Sequence, residues 1–126
     1  MEYKFNHFNF NVKNLDESIK FYNEALDLHE VRRKTANDFI IVYLSNEVSD
    51  FELELTWLKE HPQPYNLGEC EFHLAFRADD YEEAHKKHIP VILPIQERQM
   101  RGAVKEKDEA KFLVSFGRPD EPFPTL

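Results

Sequence analysis

The 126-residue chain carries 24 Asp and Glu against 16 Lys and Arg, a formal charge of −8, with 41% hydrophobic and 32% charged residues. This composition fits a folded domain, or two small repeated units, and argues against disorder, a nucleic-acid partner or a membrane span. Its single cysteine, Cys70, can close no internal disulfide, and the charged opening MEYKFNHFNF is no signal peptide, so a cytoplasmic protein facing a small-molecule substrate is expected.

Residues 4–12, KFNHFNFNV, alternate as a half-buried strand does, which predicts Asn6, Phe8, Phe10 and Val12 on the core side. The other side gathers Phe5, His7, Asn9 and Asn11. Asn14 suits a helix N-cap with Glu17 three places on, and Leu15, Ile19, Tyr22 and Leu26 recur at helical spacing. A helix is predicted over 15–26, with His29 at its exit. FIIVYL at 39–44 and FELELTW at 51–57 read as strands joined by a polar loop. In the second of these, Phe51, Leu53 and Leu55 share one side, and Glu52, Glu54 and Thr56 share the other. The stretch 61–70, HPQPYNLGEC, is rich in chain-breaking residues and reads as a linker.

After the linker the opening pattern returns. EFHLAFRADDYEEAHKKH repeats strand, acidic cap and helix, with His73 standing 66 positions after His7 and Asp80 in the place of Asn14. This order of chemical types predicts an internal duplication. His85 and His88 fall on the solvated last turn of the second helix. Farther on, Val91–Leu93 and Lys111–Phe116 read as short strands. The charged stretch 96–110 stays open between loop, helix and disordered turn, and the proline-rich end makes a poor central strand.

His7 and His73 hold matched places on matched strands. Glu52 and Glu54 lie inside a β-rich run, where a carboxylate is costly to bury unless it faces water or a cation. Should the polar sides converge, two imidazoles and a carboxylate suit Zn²⁺, Ni²⁺, Co²⁺ or Fe²⁺. The plainer reading stands beside it: packed or hydrogen-bonded strand histidines, and glutamates that point to solvent. No compact His-x-x-x-His or Cys-x-x-Cys cluster decides between them. Phe5, Trp57 and Tyr65 offer the lining of a metal-free pocket for a small ligand.

HFNFNVKNLDESIKFYNEALDL, FELELTW and NLGECEFHLAFRADDYEEAHKKH, spanning about residues 3–88, resemble glyoxalase I (lactoylglutathione lyase) of the vicinal oxygen chelate superfamily. The resemblance implies an α+β fold of paired βαβββ modules, 1–60 and 70–126, in one domain, the second module atypical at its C-terminus. It implies a homodimer that converts the hemithioacetal of methylglyoxal and glutathione to the S-lactoyl thiol with a divalent metal, nickel or zinc. Matched residue by residue, His7 is the first-strand ligand and His73 its counterpart in the second module. Glu54, in preference to Glu52, is the last-strand ligand and the catalytic carboxylate. The family's closing glutamate falls on Thr125. Its arginine four places after the first ligand is Asn11 here, and its asparagine four places after the second is Leu58. Both positions help hold glutathione in the family, so another thiol is an alternative co-substrate. An epimerase or dioxygenase of the same superfamily would use the same ligands on a different substrate.

Overall fold

The structure is a computed structural model that describes residues 1–66, 73–88, 99–106 and 109–115, with side chains throughout 1–66 and for most of 74–87. The chain divides into two units, Met1–Tyr65 and Asn66–Leu126. The first runs β1 (His7–Asn11), α1 (Leu15–Leu26), β2 (His29–Thr35), β3 (Phe39–Ser45) and β4 (Glu52–Leu58). Its four strands form one sheet in the order β1-β4-β3-β2. β1 is parallel to β4, and the other neighbours are antiparallel.

Pairing sorts the side chains by face. Phe8 lies beside Leu53 and Phe10 beside Leu55, while Val42 and Leu44 on β3 oppose Leu55 and Leu53. Leu53, Leu55, Val42 and Leu44 are all buried, together with Phe21, Tyr22 and Ala25 of α1. Full burial of one such aliphatic side chain stabilises by roughly 1.5–3 kcal/mol, so this face is the core. The alternation expected for β1 holds only at its inner end. Val12 is buried and Phe10 half-buried, but Phe8 on this sheet-edge strand stays 42% exposed.

α1 has the predicted bounds. Asn14 is extended, and its side chain accepts the Glu17 N–H at 3.1 Å, satisfying one of the helix's orphan donors. At the other end Asp27 takes the left-handed conformation (φ 54°), one that an aspartate tolerates, and its N–H donates to Asn23 O. The buried stripe is turned one position from the predicted one. Leu15, Ser18, Phe21, Tyr22 and Ala25 face inward, while Ile19 and Leu26 are half-buried. Small residues at 18 and 25 allow a close approach, and Ser18 Oγ donates to Asn14 O at 2.8 Å, so its buried hydroxyl is satisfied.

The second unit runs β5 (His73–Ala78), α2 (Tyr81–His88), β6 (Gln99–Glu106) and β7 (Glu109–Ser115), its sheet ordered β5-β7-β6 with antiparallel pairing throughout. Asp80 Oδ1 accepts the Glu83 N–H at 3.0 Å, so the helix cap is repeated as the sequence predicts. The stretch left open at 96–110 contains a strand, β6. Val91–Leu93, Cys70 and the terminal segment with Thr125 lie outside the described residues. No helix among the described residues is long and apolar enough to cross a membrane.

Candidate functional site

The face of the first sheet opposite α1 carries the polar residues. Parallel pairing of β1 with β4 sets His7 beside Glu52 and Asn9 beside Glu54. Antiparallel pairing of β3 with β4 sets Tyr43 opposite Glu54. An irregularity between Glu30 and Arg32 then brings Arg32 opposite Tyr43. His7, Asn9, Arg32, Tyr43, Glu52, Glu54 and Thr56 thereby share one surface.

Two glutamates on one strand have separate partners. Arg32 grips Glu52 with a fork, Nη2 to Oε1 at 2.9 Å and Nε to Oε2 at 3.3 Å. These charge-assisted bonds hold the Glu52 carboxyl below the ordinary carboxylate range and raise Arg32 in turn. Glu54, 12% exposed along its side chain, faces the imidazole instead, with His7 Nε2 3.4 Å from Glu54 Oε2. Oriented with its nitrogen toward Glu54, the Asn9 amide donates to Glu54 Oε1 at 2.9 Å and Thr56 Oγ1 at 2.6 Å, and accepts from the Phe10 N–H at 3.2 Å. Tyr43 faces Glu54 across the β3–β4 ladder, and this neighbouring carboxylate raises the phenol above its ordinary value.

The 3.4 Å separation is informative. A good N–H···O bond spans about 2.7–3.2 Å, so His7 and Glu54 are not tightly hydrogen-bonded. Two donors each about 2.1 Å from one tetrahedral ion lie roughly 3.4 Å apart. An imidazole nitrogen and a carboxylate oxygen are the donor types a borderline divalent ion takes, so the pair fits such an ion.

The first unit thus brings together His7 and Glu54, two of the three sequence-predicted ligands. The third, His73, opens β5 of the second unit, with its side chain outside the described part of the structure. Among the described residues, no three His, Cys, Asp or Glu side chains gather into a group able to hold a metal. Backbone register sets Ser115 opposite His73 and Leu113 opposite Ala75, so β7 places no carboxylate beside that histidine. The apolar lining expected from Phe5, Trp57 and Tyr65 needs correction. Trp57 alternates with Glu54 and Thr56 and so takes the other face of β4, Tyr65 stacks on His61 with centroids 3.8 Å apart, and Phe5 is exposed. Sequence reasoning missed Tyr43 and Arg32. Aligning FIIVYL against FELELTW as a hairpin would have found Tyr43, but nothing in HEVRRKT marked Arg32.

Comparison with known proteins bears on the family and the fold. Residues 4–92 match the Glyoxalase/Bleomycin resistance protein/Dioxygenase superfamily. The chain is similar to the trypanothione-dependent glyoxalase I of Leishmania major, with 26% identity and a TM-score of 0.65 over 89% of this chain and 85% of that one. It also resembles the V278E mutant of Zea mays glyoxalase I in fold, at 18% identity and a TM-score of 0.51, covering 90% of this chain and 42% of that one. No curated protein sequence matches it. With the match spanning well over half its length, and a βαβββ unit whose first and last strands pair in parallel, the chain belongs to the glyoxalase/bleomycin resistance protein/dioxygenase superfamily.

Proposed function

We propose that the chain is a metal-dependent, glyoxalase I-like lyase acting on the hemithioacetal of methylglyoxal and a thiol. The observation that carries this reading is the approach of His7 and Glu54 to 3.4 Å on one sheet face, in a donor arrangement that suits a divalent ion. His7 and Glu54 would hold that ion, nickel or zinc, with His73 as third donor on the strength of its motif. Once bound, the ion supplies Lewis acidity to the two neighbouring substrate oxygens. Glu54 takes the proton from the sulfur-bearing carbon as base and returns it to the adjacent carbon as acid. The product is an isomer of the hemithioacetal, an S-lactoyl thiol, with no atom gained or lost. A cytoplasmic homodimer belongs to the same reading.

Asn11 and Leu58 stand where the family holds glutathione, and the Leishmania major enzyme is trypanothione-dependent. Both thiols therefore belong in the test. Purified protein loaded with nickel or zinc is expected to form the S-lactoyl product of at least one thiol faster than buffer. Rates equal to buffer with each metal and each thiol would contradict the reading.

A further inference from the structure

β4 offers His7 two carboxylates, and a cation on β2 engages one of them. Strand register puts Glu52 directly beside His7, with Glu54 two residues on, about 7 Å farther along the same face. Yet the carboxylate that meets the imidazole is Glu54, with His7 Nε2 3.4 Å from its Oε2. Glu52, the backbone neighbour, is held by Arg32, which takes both of its oxygens, at 2.9 and 3.3 Å.

Arg32 is itself fixed by three features. With Glu30 opposite Leu44, a regular antiparallel ladder would put Val31 opposite Tyr43, but the bulge puts Arg32 there. Its guanidinium carbon then sits 3.4 Å from the centroid of the Tyr43 ring, and that ring meets the His7 imidazole edge-on with centroids 6.0 Å apart. The fork onto Glu52 completes the hold. Bidentate pairing combined with stacking on an aromatic face needs the planar guanidinium. Released from it, Glu52 would be a second anion beside the same imidazole. Two carboxylates on one face compete for His7, and a second negative charge offsets part of the positive charge with which an ion polarises substrate oxygens.

We propose that Arg32 is a positioning residue that withholds Glu52 from the site, so that Glu54 alone of the two glutamates serves as donor with His7. The role rests on the reading of Glu54 given above. It calls for no contact between Arg32 and substrate.

Crystal structures of the metal-free full chain as wild type and Arg32→Met test the proposal without any assay. The Arg32 side chain is 54% exposed and lies outside the core, so the substitution spares the fold. In Arg32→Met the Glu52 carboxylate is expected to swing within about 4 Å of His7 Nε2. By titration, nickel should bind about tenfold more tightly while kcat falls about tenfold, opposed changes that a loss of packing does not produce. Adding Glu52→Gln removes the competing charge and should return both quantities to within about threefold of wild type. A Glu52 carboxylate that keeps its wild-type position in Arg32→Met, or a double variant no closer to wild type than the single one, would overturn the proposal. Should the wild type turn over no hemithioacetal, the proposed reaction fails, while the crystal structures and the nickel titration still decide the role of Arg32.

Discussion

The two units begin alike and end differently. Each opens with a strand that starts on a histidine, followed by a helix whose N-terminal N–H is capped by a side chain, Asn14 in one and Asp80 in the other. They part at the pairing of that first strand. β1 lies parallel to β4, whose alternate residues are Glu52, Glu54 and Thr56. β5 lies antiparallel to β7, whose residues opposite His73, Ala75 and Arg77 are Ser115, Leu113 and Lys111. A shared opening motif therefore does not make two equal half-sites. Local signals such as alternation and capping are repeated, but the donor beside each histidine depends on which strand docks there. In the first unit a carboxylate docks. Among the described residues of the second, none does.

Replacing the side chains that distinguish the two units tests this contrast most strongly. Glu54→Gln is expected to lower kcat by about 10²–10⁴-fold, the range for losing a general acid–base, while Glu52→Gln has a much smaller effect. His7→Ala and His73→Ala are each expected to weaken nickel binding by at least the ~100-fold that loss of an outer partner can cost. A silent His73→Ala would confine the site to the first unit. In the core of that unit, fully buried Leu55 changed to Ala should cost about 2–5 kcal/mol, measured by denaturant unfolding. The smallest effects concern what the units share. Asn14→Ala and Asp80→Ala should each cost about 1 kcal/mol. Unequal losses would show that the two caps are not equivalent.

Much of the first unit was legible because its residues carry periodic or capping signals. Asn14 marked the start of α1, and the alternation of FELELTW assigned Leu53 and Leu55 to one face and Glu54 to the other. The two strands that periodicity did not reveal, β2 and β6, are both sheet edges among the described strands. All seven residues of β2 are exposed, so it has no buried face to write an alternation into the sequence. The resemblance to a βαβββ family implied that strand, while the residues themselves did not. The same physics divided the candidate site. His7 and Glu54 stand out as polar residues in alternating strands, but Tyr43 sits in the continuous apolar run of a central strand. Arg32 reaches the site only through a bulge, a feature of pairing rather than of composition.

The central claim is that His7 and Glu54 are donors to one divalent ion. Anomalous diffraction from crystals of the nickel-loaded full chain measures this directly. The account predicts a nickel peak about 2.0–2.2 Å from both His7 Nε2 and a Glu54 oxygen. A peak elsewhere, with the imidazole and carboxylate still 3.4 Å apart and nothing between them, would contradict it.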